Sequence, residues 1–263
     1  MSTLLFHLGK KHKGFINIVL ILVMGEVFRV ASLEERKEFY EREFDLEKVK
    51  QWFRKNGIRC PQLCAIDAGS ESGIIVQRRL KGVMLYVPFS ELKSKIKQYI
   101  PEDIYYDRNV YEDPRRVLNT LRFHRWTSQE LVFDVDADNI VCDHALGVAV
   151  CTRCLSKAYW WTLKIRVILM DEFRFKKIAF VYSGRGFHIH VLDTRAFFLM
   201  RKDRRALSER FAGFPIDPWV SRGFISLIRL PYSLHSVVSR IVRPVSHRDV
   251  FDIRKTIPRF MRD

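Results

Sequence analysis

Apolar and polar positions follow two different periods along this chain. Between residues 32 and 56, Phe39, Tyr40, Phe44, Val49, Trp52 and Phe53 recur at near-helical spacing, so the segment reads as one or two amphipathic helices. Ser32 with Glu35 forms a capping-box start, and Gly57 is a natural stop. Short β-rich runs follow at residues 74–77 and 83–89, then a helix over residues 90–100 that ends at Pro101. Residues 130–138 (ELVFDVDAD) alternate with the period of a strand. An amphipathic helix is expected from about residue 155 to 172. Residues 177–193 (KIAFVYSGRGFHIHVLD) read as strand, tight glycine turn, strand. A basic helix over residues 196–211 and a short strand over 224–230 complete the pattern. No internal repeat, low-complexity stretch or linker divides it, so residues 25–263 read as one domain.

Composition narrows the class. With 48% hydrophobic and 13% aromatic residues, the chain can bury a sizeable core, which excludes wholesale disorder. Lysine and arginine total 46 against 30 aspartates and glutamates, a formal charge of +16. That balance favours a polyanionic partner, nucleic acid first, because each neutralised phosphate releases condensed counterions. Five cysteines, odd in number and mostly clustered, argue against a disulfide framework and for a reducing, cytoplasmic compartment. The apolar run at residues 15–24 follows Lys10, Lys11 and Lys13 but is shorter than the roughly 20 residues that span a bilayer. No small-residue cleavage site precedes Glu26 and Arg29. Residues 1–24 are therefore expected to be an extension outside the domain, with translation starting near Met24. A signal sequence and an extra core helix are the other readings.

Candidate chemistry begins at Asp134-Val135-Asp136. In a strand, positions i and i+2 share a face, so the two carboxylates project together. Like charges that close repel unless a cation compensates, and hard divalent ions take such oxygen ligands. An edge strand with two solvated aspartates is an equally simple reading of so short a pattern. Next comes Ser183-Gly184-Arg185-Gly186, followed by His188 and His190 on one strand face. Glycines let backbone N–H groups approach an anion closely, and Ser183, Arg185 and His188 supply donors for phosphate oxygens. Taken singly, this too reads as a hairpin turn with a surface arginine and stacked histidines.

Cys142, His144, Cys151 and Cys154 offer four ligands of the type tetrahedral Zn²⁺ prefers, and four protein ligands leave no open position for catalysis. The site is therefore expected to be structural. Cys60 and Cys64 have no partner pair nearby and read as buried small hydrophobes.

At these residues the chain resembles the small, catalytic subunit of archaeal and eukaryotic DNA primases. That family carries a D-x-D strand, then S-G-R-G-x-H on a hairpin, then a carboxylate ahead of a stretch like L-I-R-L-P-x-S-L-H. Here these are Asp134 and Asp136, the residues from Ser183 to His188, and the run from Leu227 to His235. Further similarity covers residues 36–40, 105–113 and 251–260, so the resemblance extends over most of the chain from about residue 26. It implies an α/β (α+β) catalytic core on a mixed sheet, with a zinc knuckle at about 140–156. It also implies that Asp134, Asp136 and Asp217 hold two divalent metals, Mg²⁺ or Mn²⁺. Asp217 lies in an Asp-Pro pair that is also a common turn. Ser183, Arg185, His188, Arg229 and His235 would bind the incoming nucleotide. Asp138 would be a solvated neighbour, and His190 a strand residue without chemistry.

The implied activity is template-directed synthesis of RNA or DNA primers from nucleoside triphosphates on single-stranded DNA. It would act beside a large primase subunit as a heterodimer, near the nucleoid of an archaeal-type cell and with no membrane partner. Family members usually insert a helical subdomain before the third carboxylate, and the segment between Asp193 and Asp217 is too short to hold one. Two other readings remain at this level. One is a repair-type primase-polymerase relative, which commonly lacks the Cys/His cluster. The other is a non-catalytic, zinc-stapled nucleic-acid-binding module.

Overall fold

A computed structural model describes residues 28–68, 84–123, 125–142, 150–247 and 250–262. The chain runs through α1 (Leu33–Arg42), α2 (Leu46–Lys55), β1 (Leu63–Asp67), β2 (Met84–Pro88), α3 (Leu92–Tyr99), β3 (Asp103–Asp107), β4 (Asn109–Tyr111), α4 (Pro114–Thr120), β5 (Trp126–Gln129) and β6 (Leu131–Asp136). There follow α5 (Thr152–Asp171), β7 (Ile178–Tyr182), β8 (Gly186–Val191), α6 (Thr194–Phe197), α7 (Arg201–Glu209), α8 (Pro218–Ser221), β9 (Leu227–Arg229), β10 (Leu234–His235), β11 (Arg240–Ile241) and β12 (Arg243–Val245). The expected extension over residues 1–24 and the expected strand at 74–77 lie outside the described residues.

Two four-stranded sheets organise the molecule, one ordered β2-β1-β3-β9 and the other β12-β7-β8-β6. The α/β character matches the expectation, and the described strand pairs are antiparallel throughout. Alternation along β6 sorts its side chains between two cores. Leu131, Phe133 and Val135 face α5, where they pack with Leu155, Ala158, Tyr159, Ile165 and Leu169. Val132 faces the other way, joining Val181 in a cluster with Cys64, Ile66, Ile104, Tyr106 and Ile228 of the first sheet. Asp134 and Asp136 share the face of Val132, so the same period that builds the core aims both carboxylates toward the first sheet.

The helical expectations hold where local signals are strong. Ser32 caps α1 with the full capping box, its side chain accepting from the Glu35 N–H and the Glu35 carboxylate accepting in return. α5 starts earlier than expected, at Thr152, because the Cys151 sulfur caps it by accepting from the Cys154 N–H at 3.4 Å. The expected single helix over 196–211 is instead two, α6 and α7. Arg204 is fully buried and draws the carbonyls of Ala196 and Leu199 to its guanidinium, while the Asp203 carboxylate accepts from the Met200 N–H and restarts the helix. Among the described residues, no helix is long and apolar enough to cross a membrane.

Candidate active site

β6 and β8 pair in a register that sets Asp134 opposite His188 and Asp136 opposite Gly186. The turn between β7 and β8 has Gly184 in the left-handed region at φ +111°. A Cβ there would stand 2.3 Å from the His235 ring, and one on Gly186 would stand 2.0 Å from the Val135 carbonyl oxygen. Glycine at both positions lets the turn lie flat against β6 and His235.

Asp217 reaches this strand end from far along the chain. Its backbone N–H donates to the Asp134 carbonyl at 2.9 Å, and Ile216 bridges Val135. The turn reading of Asp217 is also correct, since its carboxylate accepts from the Trp219 N–H at 2.8 Å and caps α8. Three carboxylates thus converge, and Asp134 registers the crowding. Burial, then repulsion from Asp136 and Asp217, push its pKa up to about 8, with Arg229 and Arg185 pulling the other way. Burial and the two neighbouring carboxylates together favour the protonated form of Asp134, and carboxylate oxygens gathered in this way are of the type that hard divalent cations take as ligands.

Donors surround this acidic cluster. Arg185 spans Asp136, at 3.2 Å, and Asp138, at 2.8 Å. Asp138 is exposed, as expected, but it is also paired with that arginine, which corrects its reading as merely solvated. His188 Nε2 lies 3.7 Å from Asp134 Oδ1. Burial holds both His188 and His235 well below the usual histidine pKa, with nearby basic groups adding to the effect. Their rings are therefore neutral at pH 7, and the buried Nδ1 of each has no hydrogen-bond partner among the described residues. Arg229, on β9, pairs with Asp103 and lies over the Tyr105 ring at 4.9 Å. His235 Nδ1 lies 3.7 Å from the same Asp103. Ser183 is buried at the turn, its N–H bonded to the Gly186 carbonyl at 3.0 Å.

Sequence reasoning passed over Asp103. It holds Arg229 and stands beside His235, but along the chain it is only the first residue of a short DIYYD run, with nothing to tie it to a distant arginine. Glu130 was passed over as well. It is buried, accepting from Tyr106 at 2.7 Å and lying 2.8 Å from His190 Nδ1. His190 is thus an anchor behind the site.

Cys142, Cys151 and Cys154 form a second cluster, their sulfurs within 4.8 Å of one another. The Cys142–Cys151 and Cys151–Cys154 separations are 3.6 and 3.4 Å, close to the roughly 3.8 Å between thiolates placed tetrahedrally around zinc. These thiols can hold a metal ion. His144 lies outside the described residues. Cys64 is fully buried, as expected, and Cys60 half-buried.

A protein of Archaeoglobus fulgidus described as an uncharacterized DNA primase small subunit-like protein is 34% identical to this chain over 261 residues, covering 89% of this chain and 91% of that one. This chain belongs to the archaeal-type DNA primase small-subunit family. The DNA primase small subunit PriS of Thermococcus sibiricus is 32% identical over 187 residues, covering 70% of this chain and 50% of its own length. That of Pyrococcus furiosus is 30% identical over 184 residues, covering 69% and 49%. The chain therefore spans about half the length of the PriS relatives it matches. No family model matches the sequence. Among solved structures, the polymerase domain from Mycobacterium tuberculosis Ligase D in complex with DNA aligns over 82% of each chain, with 14% identity and a TM-score of 0.45. Within the primase family, the enzyme class expected for the chain is the one its PriS relatives carry by name.

Proposed function

We propose that this chain is the catalytic subunit of a DNA primase, joining nucleoside triphosphates into a primer on a single-stranded DNA template. The observation that carries this reading is the backbone bond from Asp217 to Asp134, which brings a carboxylate from far along the chain to the strand that bears Asp134 and Asp136. Asp134, Asp136 and Asp217 would hold two divalent cations, Mg²⁺ or Mn²⁺. When bound, such ions supply charge neutralisation, a more acidic 3′-hydroxyl and stabilisation of the leaving pyrophosphate.

The chain's own side chains then orient the substrate. Arg185, which contacts Asp136 and Asp138, would offer its fork to triphosphate oxygens, since an arginine fork matches a phosphate edge. Neutral His188 and His235 donate N–H bonds to the nucleotide without adding charge, and Ser183 adds a hydroxyl. Arg229, braced by Asp103 and Tyr105, presents fixed positive charge at the opposite wall.

A structural zinc on Cys142, Cys151 and Cys154, with His144 as fourth ligand, would fasten the end of β6 to the start of α5. The relatives are named small subunits, which makes a large subunit the expected partner. The test is primer synthesis on single-stranded DNA with Mg²⁺ or Mn²⁺. Asp134→Ala and Asp217→Ala should each lower the rate roughly a hundredfold or more while leaving the circular dichroism spectrum unchanged. Near-normal synthesis by either variant removes the metal assignment.

A further inference from the structure

Immediately after Asp217 the chain displays large aromatic side chains that the chemistry above does not use. Trp219 is 55% exposed, Phe224 is 56% exposed and Ile225 is 44% exposed. The Trp219 and Phe224 rings lie 5.4 Å apart at 73°, and the Arg201 guanidinium sits over Phe224 at 5.4 Å. Isolated exposed apolar residues need no explanation, whereas a grouped aromatic patch marks an interaction site.

This patch is held on a fixed mount. The N–H groups of Phe224 and Ile225 both donate to the Trp219 carbonyl, at 3.0 and 3.2 Å. Underneath, the buried Arg108 donates to the carbonyls of Val220, at 3.0 Å, of Ile225, and of Ser226, at 3.2 Å. The same guanidinium also donates to the Glu130 carbonyl at 2.7 Å, just ahead of β6. Ser221 and Ser208 hydroxyls meet at 2.9 Å, tying α8 to α7. One internal arginine thus locks the aromatic loop to the strand that carries Asp134 and Asp136.

Position and charge select the occupant. Trp219 follows Asp217 by two residues, so their Cα atoms are within about 7 Å, and a strand being copied must pass that close to the reacting 3′ end. Single-stranded nucleic acid binds where aromatic faces stack its bases and arginines meet its phosphates. Exposed Arg201, Lys202 and Arg205 on α7 provide that charge. Resting on the nucleotidyl-transfer reading above, the geometry points to Trp219 and Phe224 as a rigid stacking platform for unpaired template bases, with Arg201 adding charge at its edge.

The test measures binding of a fluorescently labelled oligo(dT) single strand to the full chain by anisotropy, without added Mg²⁺, Mn²⁺ or nucleotide. Trp219→Ala and Phe224→Ala are each expected to weaken binding at least fivefold, and Trp219→Phe to restore most of it. Trp160→Ala, which removes an exposed tryptophan from α5, should bind as wild type. Wild-type affinity in both alanine variants, with melting temperatures unchanged, overturns the platform. So does normal oligo(dT) binding combined with lost retention of a large subunit, which would make the patch a protein-docking surface. Strand binding without cations does not depend on the carboxylates. An active Asp134→Ala enzyme would therefore sink the metal assignment alone, and oligo(dT) binding unaffected in both Trp219→Ala and Phe224→Ala would sink the platform alone.

Discussion

In the folded chain Asp134 keeps its proton to about pH 8, whereas an aspartate in an unfolded chain loses it near pH 4. Between those values the native state holds a proton that the unfolded state has released. Stability without metal must therefore fall as pH rises through that window, by at most about 1.4 kcal/mol per pH unit. Asp134→Asn should flatten the slope, and Mn²⁺ should raise the melting temperature more at pH 8 than at pH 6, because the cation takes the place of the proton. Thermal melts at several pH values check this, and equal slopes in wild type and variant would contradict it. Gly186 acts at the same scale through space alone. A methyl group there would meet the Val135 carbonyl oxygen at 2.0 Å and Asp136 Cα at 2.9 Å, so backbone has to move. Gly186→Ala should destabilise the protein by about 1–3 kcal/mol, seen in denaturant titration, and should weaken nucleotide binding by displacing Asp136.

Elements hand these residues to one another through two couplings. The hairpin of β7 and β8 fixes the turn that carries Ser183 and Arg185, and its pairing with β6 brings that turn to the carboxylates. The cysteine cluster then links the end of β6 to the first turn of α5, whose buried face packs on the back of the same sheet. A metal held there would stiffen the strand bearing Asp134 and Asp136 without touching substrate. Elemental analysis is expected to find about one zinc per chain. Cys151→Ser should lose that metal and lower the melting temperature by on the order of 10 °C, and metal-free native protein would rule out the knuckle. The D-x-D strand, the glycine turn and the capped helix α1 were readable in advance because each depends on neighbours a few residues away. The split between α6 and α7 was not, because Arg204 is buried only once the chain has folded around it.

Across the whole molecule, the formal charge is +16, although the candidate site gathers three carboxylates. Strand affinity should then depend strongly on salt, falling about tenfold or more between about 50 and 200 mM. An anisotropy series would show this, and a flat dependence would argue that the basic surface is not the strand's footprint. Asp103 and Arg229 come from the first sheet, His235 from the β10-β11 pair, and Asp134 and Asp136 from the second sheet with Arg185 in its hairpin turn, so the candidate site exists only where these elements meet.

The D-x-D strand, the glycine turn, the cysteine spacing and the family were legible along the chain, since these rest on local periodicity and on ordered motifs. The fold added that Asp217, grouped with the pair by resemblance alone, bonds to the strand that carries them, that Asp103 braces Arg229, and that Trp219 stands exposed. Those relations span long stretches of chain, and their energies come from burial and from charge at short range, which no local pattern encodes.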